Sequence, residues 1–188
     1  MQIPNKILNW ISTKNWTLHE HQIRMFESFE TSAQLLIAPT GSGKTLSGFL
    51  PTLADLYLNP SKKLHTLYIS PLKALASDIK RNLETPIDEL KLDISVEDRT
   101  GDTKQSIKKK QRVTPPNILL TTPESLALLI SYPEAPRIFS NLKRIIVDEI
   151  HSITESKRGD QLFLAISNLR KYCLDAKIIG LSATVSDP

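Results

Sequence analysis

Apolar residues along this chain gather into short unbroken runs, separated by longer stretches of helical period. The runs are Leu35-Leu36-Ile37-Ala38, Leu67-Tyr68-Ile69, Ile118-Leu119-Leu120, Ile145-Ile146-Val147 and Ile178-Ile179-Gly180-Leu181. Being continuous rather than alternating, they predict strands of a parallel sheet covered on both faces. Between them, Leu46, Phe49, Leu50, Leu53 and Leu56 make one helical stripe. Leu75, Ile79 and Leu83 make a second, which Pro86 should interrupt, and Leu162, Ile166, Leu169 and Cys173 make a third. Strands alternating with helices predict βαβ units, hence an α/β fold with helices on both faces of a mainly parallel central sheet. Residues 1–30 precede the first strand and predict one or two helices, with Leu18, Gln22, Met25, Phe26 and Phe29 on related faces. Residues 99–116 and 152–160 follow neither period and read as loop-like. No internal repeat or low-complexity tract interrupts the pattern.

Composition narrows the class without naming a function. A chain of 188 residues, 40% hydrophobic and 23% charged, fits one ordinary globular domain with a sizeable core. The N-terminal residues mix Asn, Lys, Thr and Ser with apolar ones, unlike a secretory leader. No run approaches the roughly 18 apolar residues of a membrane span, so no membrane partner is expected. The single cysteine, Cys173, cannot form an intrachain disulfide, which suits a reducing cytoplasm; in its helical stripe it reads as a packed thiol. The net charge of +4 is compatible with a nucleic-acid partner but is shared by many proteins that have none.

The strongest chemical signal follows the first strand, where residues 38–45 read Ala-Pro-Thr-Gly-Ser-Gly-Lys-Thr and a helical stripe begins at once. Gly41 and Gly43 permit positive φ and let backbone N–H groups of Thr40, Gly41, Ser42 and Gly43 approach an anion. The helix N-terminus adds its partial positive charge. Lys44 can then reach the β- and γ-phosphates of ATP, and the Thr45 hydroxyl can ligate Mg²⁺. Ala38 stands where the generic phosphate-binding loop has glycine; the strand-loop-helix context restores the match. The alternative, a Gly/Ser turn that happens to end in Lys-Thr, fits that context poorly.

A second signal ends the fourth run: Asp148 and Glu149 follow Ile145-Ile146-Val147. Two carboxylates at the end of a hydrophobic strand lie at the carboxyl edge of the sheet, where open α/β sheets bind ligands. With the phosphate loop present, Asp148 is placed to hold the Mg²⁺ shell and Glu149 to orient and deprotonate the attacking water. Without that loop, a solvated acidic turn would be the better reading. His151 alone reads as a surface or capping histidine.

These signals give a P-loop ATPase. A narrower reading comes from resemblance. Asp148-Glu149-Ile150-His151 resembles the DExH box of superfamily 2 helicases, which usually carry alanine at the position of Ala38. Ser70-Pro71-Leu72-Lys73-Ala74-Leu75 resembles their motif Ia, Thr121-Thr122-Pro123-Glu124-Ser125 motif Ib, and Ser182-Ala183-Thr184 motif III, all in the superfamily's order. Arg99-Thr100-Gly101-Asp102-Thr103, Thr-Thr-Pro-Glu-Ser-Leu and Ser156-Lys157-Arg158-Gly159-Asp160 are similar to the Lhr (large helicase-related) family, most closely its bacterial ligase-associated branch.

The resemblance implies a RecA-like P-loop NTPase lobe over residues 31–188, preceded by a helical segment over 1–30 that carries a Q-motif-like Gln22. It implies that Gln22 reads the adenine edge and that Trp16 either packs near that base or serves the core. Ser70, Lys73, Arg99, Thr100, Gly101, Thr122 and Glu124 would line a track for single-stranded nucleic acid, with DNA the expected partner. Hydroxyls, cations and amides of this kind grip phosphates without reading sequence. Taken singly, each is also an ordinary loop or capping residue; Thr122 or Ser125 would equally cap a helix over 126–130. His151, Ser182 and Thr184 would couple the nucleotide to the nucleic-acid grip. The basic run Lys104, Lys108, Lys109, Lys110 and Arg112 has no interleaved aromatic and reads as a solvated helix face.

The resemblance also implies a second RecA-like lobe with arginine fingers, which this chain, stopping just past motif III, does not contain; DNA-repair partners are a family expectation only. Three functions stay in competition: the motor lobe of an ATP-driven DNA helicase or translocase, a nucleotide- and nucleic-acid-binding module without useful turnover, and a non-helicase P-loop ATPase, which the motif Ia, Ib and III matches argue against.

Overall fold

In the computed structural model, which describes residues 2–39, 41–153 and 156–183, the apolar runs line up side by side in one sheet. The elements in chain order begin with α1 (Asn5–Thr13), α2 (Glu20–Glu27), β1 (Ala33–Ile37), α3 (Lys44–Leu58), β2 (Thr66–Ile69) and α4 (Lys73–Glu89). They continue with β3 (Val96–Arg99), α5 (Gln105–Val113), β4 (Ile118–Thr121), α6 (Pro123–Ile130) and α7 (Ala135–Phe139). The last are β5 (Arg144–Val147), α8 (Ile150–Ile153), α9 (Lys157–Leu169) and β6 (Lys177–Ser182). The strand order is β1-β6-β5-β2-β4-β3, and every pairing among these strands is parallel. The fold is the α/β architecture expected of a RecA-like lobe.

Alternation along the central strands assigns the two faces. Leu67 and Ile69 of β2, Leu119 of β4, and Ile145 and Val147 of β5 pack against α6, α7 and α9, where Leu126, Phe139, Leu162 and Leu169 complete the layer. Tyr68, Leu120, Ile146 and Leu181 point the other way, against Phe49 and Leu53 of α3 and Ile79 and Leu83 of α4. Helices α1 and α2 share a third apolar cluster with α3, through Ile7, Trp10, Phe26, Leu50 and Ala54. The N-terminal helical segment is therefore packed on the helix that follows the phosphate loop. Cys173 is buried as expected, its thiol pushed up to about 11 by burial, which keeps it protonated and unreactive.

Three expectations need correction. The stretches 99–116 and 152–160 are not wholly loops: β3 ends at Arg99, α5 carries the basic run with Lys104 as its N-cap, residues 152–153 end α8, and 157–160 begin α9. Strand β3 escaped notice because it is an edge strand of sequence Val-Glu-Asp-Arg, with no apolar run to announce it. Pro86 does not stop its helix; α4 continues to Glu89, because proline forfeits only the bond its own N–H would make to the preceding turn, while its carbonyl still accepts from Leu90 N–H at 3.0 Å. Finally, β1 is apolar but not covered on both faces. It is the other edge strand, and Leu35 and Ile37 are 60% and 57% exposed.

The centre of the sheet should be the least tolerant part of the fold. Leu67, fully buried in β2, is a direct probe of it. Leu67→Ala should lower the unfolding free energy by about 2–5 kcal/mol in urea titration, through lost transfer energy and the cavity left behind.

Candidate functional site

All the chemistry-bearing segments leave the sheet at its carboxyl edge, because every strand runs the same way. Ala38 donates its N–H to the carbonyl of Ser182 at 3.2 Å, which ties the start of the phosphate loop to the end of β6. Asp148 donates its N–H to the Ile69 carbonyl at 2.9 Å, and Ser70 donates to Thr121 at 3.0 Å, so the pairing continues into the motifs themselves.

The phosphate loop takes the conformation its glycines allow. Gly41 and Gly43 have φ of 82° and 77°, and Gly43 is the N-cap of α3. A Cβ on Gly43 would lie 3.0 Å from Nε2 of Gln22, so the Gln22 side-chain amide and the loop are in close approach. Gln22 is itself buried, its Oε1 accepting the His19 N–H at 2.9 Å, which leaves the Nε2 end turned to the loop. Lys44 is buried, and its ammonium donates to the carbonyls of Ala38 at 2.7 Å and Pro39 at 3.1 Å. An ammonium has three donors, so one is left for an incoming anion. Thr40 lies outside the described residues.

Opposite the loop, Asp148 is buried and held at both oxygens. Its Oδ1 accepts the Glu149 N–H at 2.9 Å, and its Oδ2 accepts the Tyr68 hydroxyl. Burial, and then the charge of Asp148, raise the Tyr68 hydroxyl far above the ordinary phenol range, so it stays a donor. Glu149 has φ of 49°, a left-handed conformation that is unfavourable for a side chain with a Cβ. Its Oε2 lies 3.3 Å from Nε2 of His151, whose Nδ1 lies 3.1 Å from Oγ of Ser182. A carboxylate only accepts, so the Glu149 contact calls for a proton on Nε2, while the Ser182 hydroxyl stands within reach of both Nδ1 and the Ala183 carbonyl, to which it donates at 3.1 Å. Thr184 lies outside the described residues.

Lys44, Thr45, Asp148 and Glu149 line a single cavity of about 570 Å³ together with Trp10 and Trp16. Trp16 is 54% exposed and meets Trp10 edge-on, 5.6 Å between ring centres, so it serves the cavity wall rather than the core. The donor set fits a Mg·nucleotide. One carboxylate and one hydroxyl facing a loop of phosphate-binding N–H groups is what Mg²⁺ accepts when phosphates and water supply the rest of its shell. Among the described residues there is no cluster of three or more His, Cys, Asp or Glu that would cage a metal by protein alone.

The residues expected on the nucleic-acid track gather at the ends of β2, β4 and β3 but differ in access. Lys73 and Gly101 are exposed, and Glu124 is half-buried. The Lys73 ammonium donates to Asp102 at 2.9 and 3.1 Å. Ser70, Thr100 and Thr122 are buried, and Thr122 caps α6, its hydroxyl accepting from Ser125 N–H at 3.4 Å. Arg99 is also buried; its guanidinium points back to α5, donating to the Lys108 carbonyl at 3.0 Å and to Gln111 at 3.2 Å. In this arrangement Arg99 fastens α5 to β3 rather than presenting a cation to solvent. The basic run lies on α5, where Lys104, Lys109 and Lys110 are exposed, as a solvated face requires.

Comparison with known proteins fits this geometry. The family model for the DEAD/DEAH box helicase matches residues 19–188. The chain belongs to the DEAD/DEAH box helicase family. Among curated relatives, ATP-dependent helicase Lhr-Core protein 2 of Thermococcus barophilus is 42% identical over 166 residues, covering 80% of this chain and 19% of that protein. ATP-dependent helicase Lhr-Core of Methanocaldococcus jannaschii is 40% identical over 195 residues, covering 95% and 23%. Among solved structures, the Mycobacterium smegmatis helicase Lhr bound to ssDNA and AMP-PNP superposes with a TM-score of 0.90 at 35% identity, over 99% of this chain and 25% of that one. The helicase MrfA bound to DNA and AMPPNP gives 0.85 at 31%, over 99% and 27%. The chain thus spans about a fifth to a quarter of the length of these relatives.

Two polar contacts in this helicase lobe were not singled out from sequence. Tyr68 read as a strand residue, although a tyrosine inside an aliphatic run carries a hydroxyl that must find a partner. Arg158 was noted only within its block. It donates from Nε to Glu124 at 2.6 Å and from Nη2 to the Pro71 carbonyl at 2.9 Å, joining α9 to motifs Ib and Ia. Burial is the largest single influence and works to raise the Glu124 carboxyl, but hydrogen bonds from Arg158, its own backbone N–H and Thr122, with the Arg158 charge, together outweigh it and hold Glu124 below its ordinary value.

The loop geometry separates two glycines. Gly43→Ala should lower the unfolding free energy by about 1–2 kcal/mol, since its φ is left-handed and the new methyl meets Gln22. Gly101→Ala, whose Cβ would meet only the flexible end of Lys73, should stay within about 0.5 kcal/mol of the parent. Paired chemical denaturation checks both.

Proposed function

We propose that this chain is the first, ATP-binding motor lobe of an ATP-dependent DNA helicase or translocase, coupling hydrolysis to movement along single-stranded DNA. One observation carries the reading: Lys44 and Thr45 at the phosphate loop, and Asp148 and Glu149 at the end of β5, line the same cavity. In this reading the loop amides and Lys44 bind the β- and γ-phosphates, and Thr45 and Asp148 hold Mg²⁺, which neutralises charge between those phosphates. Glu149 orients the attacking water and accepts its proton. Gln22 reads the adenine edge, with Trp16 beside it. The contacts from Glu149 through His151 to Ser182 give nucleotide state a route to motif III. Lys73, Gly101 and the loop amides near Ser70, Thr100 and Thr122 grip the DNA backbone, with Arg99, Glu124 and Arg158 fixing the segments that carry them.

A second reading concerns the chain by itself. Among the described residues lining the cavity there is no arginine, and Arg144 begins β5, at the opposite edge of the sheet. Taken alone, the chain is then a nucleotide- and nucleic-acid-binding module, and turnover waits on a cation supplied by a second lobe.

Lys44→Ala should remove most affinity for an ATP analogue, because the ammonium is the main positive charge on the β/γ-phosphates. Equal calorimetric binding by mutant and parent would sink the assignment. Binding to single-stranded DNA should be weak, independent of sequence and strongly reduced by salt, since phosphate contacts dominate it. Fluorescence anisotropy showing a salt-independent affinity, or a strong preference for one base sequence, would contradict the backbone track.

A further inference from the structure

We infer that Tyr68 is a positioning residue for the metal-binding carboxylate: its hydroxyl fixes Asp148 so that Mg²⁺ meets a preset oxygen. The inference rests on the nucleotide-site reading above and adds a residue that the phosphate loop and the DExH segment do not contain.

The sheet register makes the contact. Tyr68 in β2 pairs with Ile146 in β5, and both side chains lie on the α3 face. Asp148 lies two residues beyond Ile146, so strand alternation puts it on that same face, diagonally ahead of Tyr68. A tyrosine spans that diagonal, and its hydroxyl donates to Asp148 Oδ2. The ring is fully buried and stacked on Phe49, with ring centres 5.1 Å apart, so the hydroxyl has one direction in which to point. Phe49 is on α3, one turn beyond the loop residues Lys44 and Thr45. The same stack therefore ties the phenol to the helix that carries the phosphate-binding lysine.

The chemistry follows from counting lone pairs. Each carboxylate oxygen has about two acceptor directions. Tyr68 takes one on Oδ2 and the Glu149 amide takes one on Oδ1, leaving one on each for a cation and its water. With both oxygens tethered, the carboxylate cannot rotate about its terminal bond, and no reorientation is needed when the metal arrives. Partners of this kind, bonded to a ligand and not to the metal, typically govern metal affinity by about 10- to 100-fold.

Tyr68→Phe removes the hydroxyl and keeps the stack. Its test is the Mg²⁺ concentration needed for half-maximal binding of AMP-PNP to the chain, measured by calorimetry alongside binding without metal. Tyr68→Phe should raise that concentration about tenfold while leaving metal-free binding unchanged. In an Asp148→Asn background the same substitution should have no further effect. An unchanged Mg²⁺ requirement in folded Tyr68→Phe overturns the inference, and so does an equal effect in both backgrounds, since the hydroxyl would then act elsewhere. If Asp148→Asn by itself leaves the Mg²⁺ requirement unchanged, the nucleotide-site reading fails and takes this inference with it. Should Tyr68→Phe not fold, the ¹³Cζ resonance of Tyr68 gives the answer without it. The signal should move on Asp148→Asn if the phenol donates to that carboxylate, and staying in place overturns the contact.

Discussion

The position of β5 in the middle of an all-parallel sheet is the constraint on which the rest depends. With the order β1-β6-β5-β2-β4-β3, the segments after the strands stand in a row at one edge. The phosphate loop follows β1, motif III follows β6, and the DExH residues follow β5. Motifs Ia and Ib and the Arg99-Thr100-Gly101 turn follow β2, β4 and β3. Asp148 and Glu149 therefore sit between the phosphate loop, with the β6 segment intervening, and motif Ia, which follows the adjacent β2. An antiparallel strand in the middle of this sheet would have sent one of these segments to the opposite edge.

Glu149 shows how that position is held. Its left-handed backbone is unfavourable by about 1–2 kcal/mol, and the surroundings over-determine it. Its N–H is committed to Asp148, its carboxylate to His151, and its carbonyl accepts from Ser152 N–H at 2.9 Å at the start of α8. Strain at such a residue turns the carboxylate out of the strand line and into the cavity. The phosphate loop is held in a related way: Gly43 takes a left-handed turn so close to Gln22 that an added Cβ would lie 3.0 Å from its Nε2. Helices α1 and α2 extend this support, because Trp10 donates to Glu89 at 2.6 Å and so anchors the wall that carries Trp16 to α4.

Most of this was legible in the chain because buried parallel strands announce themselves as apolar runs, and because the phosphate loop and acid pair have spacings that physics dictates. What escaped detection was polar or peripheral. Strand β3 is Val-Glu-Asp-Arg, and an edge strand with one solvated face has no need of an apolar run. Exposure on β1 was equally hidden, since Leu35 and Ile37 look the same in sequence whether a layer covers them or not. Arg99 was expected to line the nucleic-acid track, whereas its guanidinium is buried against Gln111; sequence cannot tell a cation that faces a phosphate from one that fastens a helix. Tyr68 needed the register between β2 and β5, which only the sheet supplies. Thr40 and Thr184 lie outside the described residues, so their expected places in the loop and in motif III rest on sequence.

The central proposal is that this lobe assembles the ground state of Mg·ATP, while a second lobe supplies the cation that stabilises the transferring phosphoryl. Steady-state ATP hydrolysis by the chain alone, beside a chain extended through a second RecA-like lobe and a Glu149→Gln control, tests it most directly. The account predicts very slow turnover by the single lobe with or without DNA, and DNA-stimulated turnover that appears only when the second lobe is attached. An arginine finger is worth about 10³- to 10⁵-fold in related P-loop enzymes, so the gap should be large. DNA-stimulated hydrolysis by the single lobe at the extended chain's rate, abolished by Glu149→Gln, would contradict the account.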